Sequence, residues 1–164
     1  MGSIALPETV QTHVSENYIH QPRPIRVIVI GAGISGIAWA YKALSLPGVS
    51  YTIYEKNPDV GGTWYESRYP GCSCDIPAHS YSYPWVSNPN WSKVYVGSEE
   101  IFDWYKSLAK EYKVYENTKF THTVVGAQWN EEEAKWHVQI RDDNTGEVVE
   151  DSAEVLLNCA GVLK

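Results

Sequence analysis

The stretch IRVIVIGAGISGIAWAYKALSL, residues 25–46, decides the fold. IRVIVI is a largely apolar, β-branched run, the mark of a strand buried on both faces in a parallel sheet. GAGISG follows without a gap, and with IAWAYKALSL (37–46) it places Ile34, Ile37, Ala38, Tyr41 and Leu44 at helical spacing. Pro47-Gly48 stops that helix. A strand, a glycine turn and a helix in this order are the context in which Gly31-x-Gly33-x-x-Gly36 acquires a physical meaning. Gly31 permits the tight turn, Gly33 lets the backbone approach a pyrophosphate, and Gly36 lets the helix pack close to the sheet. The helix N-terminus adds free N–H groups and the positive end of its dipole.

Just downstream, SYTIYEK (50–56) reads as a second strand that ends in Glu55, about 20 residues past the last glycine. An acid there accepts hydrogen bonds from both ribose hydroxyls of an adenosine and repels a ribose phosphate, so NADP is disfavoured at this site. The bland alternative is a chance glycine turn with a surface Glu.

Further out, residues 1–24 are polar, end in QPRP and read as an arm leading into the first strand. Residues 57–97 form a long irregular stretch, and a loop of that length in a compact domain is usually functional or disordered. Its aromatic density favours function. SEEIFDWYKSLAKEY (98–112) is helical: Ser98 is placed to cap it, Glu99 and Glu100 sit at its positive end, and Ile101, Tyr105, Leu108 and Tyr112 form one stripe. TVVGAQWN (123–130) and KWHVQIR (135–141) read as a hairpin with Trp129 and Trp136 in its core. DDNTG is a turn from which GEVVE pairs back, and AEVLLNCAG (153–161) is a last buried strand.

The 164 residues point to one domain, and 43% hydrophobic with 20% charged residues is ordinary globular composition. A net charge of -7 with no Lys/Arg cluster argues against nucleic acid and against an anionic membrane surface. No run approaches the ~18 apolar residues of a membrane span. No secretory signal is visible at the N-terminus, so the expected place is the cytoplasm, with Cys72, Cys74 and Cys159 reduced. The 12 Tyr and 7 Trp against 2 Phe suit pockets as well as cores.

Within the irregular stretch, GGTWYESRYPGCSCDIPAHSY (61–81) has several readings: half a metal site, a redox pair, turn-rich core, or the wall of a cofactor pocket. Cys72-x-Cys74 lacks a second Cys/His pair at ligand spacing, which argues against a metal. A disulfide two residues apart would be strained, and the redox form is C-x-x-C. Arg68 and Asp75 also fit a plain surface pair, and His79 fits a hydrogen-bonded loop residue better than a base.

VIVIGAGISGI, YEKNPDVGGTWYESRYPGCSCDIPAHSYSY and LLNCAG together resemble the N-terminal part of class B flavoprotein monooxygenases of the Baeyer–Villiger type, above all the fungal enzymes. The likeness covers roughly residues 24–164, and the GGTWY…RYPG…CD string is its most distinctive part. It implies an α/β Rossmann-like FAD-binding domain of the two-dinucleotide-binding-domain type, with a small antiparallel meander at about 118–150. It implies FAD as cofactor, with Gly31, Gly33 and Gly36 on the pyrophosphate and Glu55 on the ribose. Gly62, Thr63 and Trp64 would run beside the diphosphate and ribityl chain. Asp75, with Ile76 next to it, would lie near the flavin ring and help to position a catalytic Arg. Tyr81 would pack at the flavin, Val124 would meet the adenine through its backbone, and Ala160-Gly161 would stand where the family more often has Thr-Gly.

The family's reaction uses NADPH and O2 to oxygenate a ketone or similar small organic substrate. Its second glycine motif, its linker motif and its catalytic Arg have no counterpart in this sequence, so the domain reads as incomplete and the NADPH domain as absent. Three readings follow: a monooxygenase needing further residues or a partner chain for turnover, an FAD-binding protein without oxygenase activity, and a NAD-binding module. In the last, the GGTW-to-CD loop has no task. An incomplete sheet also predicts exposed apolar surface and self-association.

Overall fold

The computed structural model describes residues 23–161. The expected N-terminal arm, except Arg23 and Pro24, lies outside the described residues. The first strand, β1 (Ile25–Ile30), leads through the glycine turn into helix α1 (Ile34–Ala43), and β2 (Val49–Glu55) returns parallel to β1 with Ile25 opposite Val49. This is the βαβ start that the glycine motif requires. Helix α1 ends one residue before the last of its apolar-spaced positions. Leu44, expected on the buried stripe, is the C-cap and is 58% exposed, because the chain is already turning toward Pro47-Gly48.

The irregular stretch contains a single-turn helix, α2 (Thr63–Glu66), and a 3₁₀ turn at Ala78–Ser80. Helix α3 (Ser98–Glu111) follows, one residue short of the expected end at Tyr112, which is its C-cap. Its N-cap is Gly97 rather than Ser98, and no side chain caps it. The acid-first, base-last charge order is present, with Glu99 and Glu100 in the first turn and Lys110 in the last.

A second 3₁₀ turn (Val114–Asn117) leads into β3 (Thr118–Phe120), which pairs parallel to β2 and puts Phe120 opposite Glu55. Residues 118–120 therefore belong to the main sheet and not to the meander, as their position had suggested. Three residues are too few to show a periodicity. The meander consists of β4 (His122–Asn130), β5 (Lys135–Asp142) and β6 (Val148–Ala153), and the chain then enters β7 (Val155–Asn158) beside β1. The main sheet has the order β3-β2-β1-β7, all parallel, and the meander the order β4-β5-β6.

The two faces of the main sheet have different covers. Val27, Val29 and Ile53 pack under α1 and α3 with Ile37, Ala40, Ile101, Tyr105 and Leu108. Ile28 and Tyr54 point the other way and meet Val138, Ile140 and Ala153 of the meander. Each of these fully buried Ile and Leu side chains is worth about 1.5–3 kcal/mol. Arg26, the one charge in β1, also faces the meander: its guanidinium bonds both oxygens of Asp151 and the carbonyl of Ser152. Tyr54 donates to the same carboxylate at 2.6 Å. The parallel sheet is thus buried on both faces, which is why IRVIVI reads as a nearly unbroken apolar run.

Candidate functional site

A cavity of about 380 Å³ opens at the C-terminal ends of β1 and β2, where the glycine turn meets the start of α2. Gly31 has φ 96, and a Cβ there would lie 3.1 Å from the carbonyl oxygen of Cys159 at the end of β7. Gly36 sits behind the turn: its Cβ would come within 2.1 Å of the Gly31 carbonyl oxygen, so only glycine lets α1 approach the turn this closely. Gly33 and Gly62 face each other, and a Cβ on Gly62 (φ 54) would be 3.1 Å from Gly33 Cα. The two glycine segments are tied by a hydrogen bond from Gly61 N–H to Ala32 O at 3.0 Å. The two bare backbones therefore pack against each other at one side of the cavity, and a ligand in the cavity beside them meets backbone with no side chain in the way. The first-turn N–H groups of α1 have no helical acceptor, no acid stands in that turn, and the helix dipole adds positive potential. This suits a phosphate or diphosphate.

Glu55 closes one side. It is 3% exposed, and its two carboxylate oxygens accept from the backbone N–H groups of Ala32 (2.7 Å) and Asn57 (2.8 Å). Each oxygen retains a lone pair, so a vicinal diol at the cavity wall can still donate to both. Lys56 and Asn57, also on the wall, hold the Glu66 carboxylate at 2.7 and 2.9 Å.

The opposite wall is aromatic. Trp64, 9% exposed, donates its indole N–H to the Tyr81 hydroxyl at 2.8 Å, and the rings meet edge to face at 5.4 Å. Tyr105 donates to the Tyr81 carbonyl from below at 3.2 Å. Burial pushes the Tyr81 hydroxyl above the usual phenol range, the Trp64 hydrogen bond only partly opposing it, so it stays protonated at neutral pH. Cys159 also lines the cavity, and burial raises its thiol.

The structure gathers most of the residues singled out in the sequence. Gly31, Gly33, Glu55, Gly62, Thr63, Trp64, Tyr81, Val124, Ala160 and Gly161 all line this cavity. Gly36 shapes it from behind. Asp75 and Ile76 do not line it; both are exposed, and Asp75 reaches the site only as a minor charge effect on Tyr81. Arg68 does not pair with Asp75 among the described residues. It lies over the Tyr65 ring at 4.5 Å and donates to the Tyr65 carbonyl. Cys72 and Cys74 are buried in the core, and His79 is exposed. Trp129 and Trp136 do form a cross-strand pair, with Trp129 still 37% exposed. Sequence reasoning missed Ser35, Lys56, Asn57, His122 and Thr123 on the wall. The first three adjoin residues that were found. Thr123 likewise adjoins Val124, whereas His122 carried no signal, because its place follows from the unforeseen strand β3.

A family model described as an NAD(P)-binding Rossmann-like domain matches residues 29–97. An FAD-binding monooxygenase of Aspergillus terreus is 43% identical over 145 residues, covering 87% of this chain and 26% of its own length. A Baeyer-Villiger monooxygenase of Streptomyces coelicolor is 32% identical over 126 residues, covering 76% of this chain and 24% of its own. Among solved structures, cyclohexanone monooxygenase from Rhodococcus sp. Phi1 bound to NADP+ superposes with a TM-score of 0.75 at 28% identity, over 88% of this chain and 27% of that one. The chain spans about a quarter of the length of the relatives it matches.

Proposed function

We propose that this chain, which belongs with the FAD-binding monooxygenases of Baeyer–Villiger type, holds FAD in the cavity that its two glycine segments line. The observation that carries this reading is the facing pair Gly33 and Gly62 at the N-terminus of α1, with the buried Glu55 carboxylate beside them. A pair of bare backbones packed too closely for a Cβ, free helix N–H groups and a carboxylate with spare lone pairs match a diphosphate followed by a ribose. Gly31, Gly33, Gly62 and Thr63 would hold the diphosphate, Glu55 the ribose, and Val124 the adenine. Trp64 and Tyr81 would keep water from the far end, with Tyr81 offering a neutral hydroxyl proton. Ala160 and Gly161 would close the cavity behind β7. Asp75, which acts electrostatically on Tyr81, would face the flavin from outside the cavity, with Ile76 beside it.

The activity proposed for the whole enzyme is NADPH- and O2-dependent oxygenation of a ketone or similar small organic molecule, in the manner of fungal secondary metabolism. FAD supplies the redox chemistry when bound, and this chain's residues bind, orient and exclude water. A partner chain, a second copy or further residues would complete the site for turnover. No described helix is long and apolar enough to cross a membrane. The unpaired thiols of Cys72, Cys74 and Cys159 fit a reducing compartment such as the cytoplasm.

The test is the visible spectrum of the purified chain before and after FAD is added, with retained flavin counted after desalting. A structured flavin band that survives desalting supports the reading. A colourless protein that ignores FAD and retains NAD+ instead would favour a plain NAD-binding module.

A further inference from the structure

His122 is placed by a turn held in an uncommon conformation. Thr121 has φ 54, a left-handed backbone that β-branched residues rarely adopt. Its N–H donates to the Asn57 carbonyl at 3.2 Å, its carbonyl accepts from Asp143 N–H at 2.8 Å, and its hydroxyl accepts from Asn144 Nδ2 at 2.7 Å. A strained residue persists only where its surroundings over-determine it, and such residues cluster at ligand sites. Since Phe120 lies opposite Glu55, the turn delivers His122 to the cavity wall at the Glu55 end.

The ring's own contacts decide its tautomer. Nδ1 lies 2.6 Å from the Phe120 carbonyl oxygen. A carbonyl only accepts, so Nδ1 carries the proton and Nε2 of the neutral ring is left as an acceptor. The Tyr54 ring is its aromatic neighbour, 6.2 Å away between centroids and tilted by 39°. No described residue donates to Nε2.

We infer that Nε2 of His122 accepts a hydrogen bond from the 6-amino group of a purine, and so makes this site prefer a 6-aminopurine dinucleotide to its 6-oxo analogue. The inference rests on the FAD reading above, which puts the base beyond the ribose held at Glu55. An amino group donates to the Nε2 lone pair. An oxo group turns an acceptor toward it and leaves both unpaired, which costs more than the lost bond.

The purified chain is titrated with FAD and with flavin hypoxanthine dinucleotide, following the quenching of flavin fluorescence. The wild type should bind FAD roughly tenfold tighter than the 6-oxo analogue. His122→Phe keeps a ring and removes the acceptor, and should bring that ratio to about one, chiefly by weakening FAD. His122→Gln, whose amide turns either way, should bind both dinucleotides with a ratio below the wild type's. It carries the test alone if His122→Phe does not fold. A ratio that neither variant lowers, or a wild-type ratio near one, overturns the role of His122. A wild type that binds neither dinucleotide overturns the FAD reading beneath it.

Discussion

Gly36 and Glu55 show how much can rest on one side chain, or on the lack of one. A Cβ at Gly36 meets the Gly31 carbonyl oxygen at 2.1 Å, and the obstacle is backbone, so nothing flexible can yield. Gly36→Ala should lose about 2–3 kcal/mol of stability in urea denaturation, as overpacking does, and should lose flavin with it. Gly71 makes the contrast: its φ is 81, but nothing lies within 4 Å of a Cβ there. Gly71→Ala should cost only about 1–2 kcal/mol for the left-handed backbone and should leave flavin binding alone. At Glu55 the carboxylate satisfies two backbone N–H groups at once. Glu55→Gln turns an amide donor toward one of them, which should cost about 1–3 kcal/mol in the same denaturation assay. The glycine spacing and the acid were legible in sequence because each has a local steric or charge reason. The capping role given to Ser98 failed for the converse reason: cap geometry depends on how the chain enters the helix, and here it enters one residue earlier, at Gly97.

Among the elements, β1, α1, β2 and α3 were legible because each carries enough apolar positions to show a period. β3 was not, because three polar-flanked residues show none and its place is set by pairing with β2. The join between the main sheet and the meander is equally non-local. Arg26 of β1, Tyr54 of β2 and Asp151 of β6 converge from distant parts of the chain. Burial works against the charged Asp151, but the hydrogen bonds from Arg26 and Tyr54 outweigh it and hold the carboxyl below its ordinary value. A depressed carboxyl stabilises the fold above its unfolded pKa, about 3.9, and the contribution is lost as pH falls through the lower folded value. Asp151→Asn should therefore melt at a lower temperature than the wild type at pH 7. The gap between the two melting curves should close below pH 4. A gap that is the same at pH 7 and pH 3 would show that this carboxylate contributes nothing through its charge.

For the whole molecule, the main sheet ends at β7, whose outer edge has no partner strand among the described residues and whose Val155 is 40% exposed. Val125, Val148 and Val149 of the meander are also exposed. Open apolar edges recruit further strands, so the chain should self-associate in sedimentation velocity as its concentration rises. Val155→Lys should shift that association to higher concentration, and an unshifted profile would place the contact elsewhere. The sequence by itself determined the βαβ start, the glycine turn and the acid at its end, because strand, turn and helix there are near neighbours along the chain. Only the tertiary structure decided that Gly62 closes on Gly33, that His122 reaches the Glu55 end, and that Asp75 stays at the surface. Those placements depend on parallel pairing and long loop returns, whose energies come from contacts between residues far apart in the chain and leave no local pattern to read.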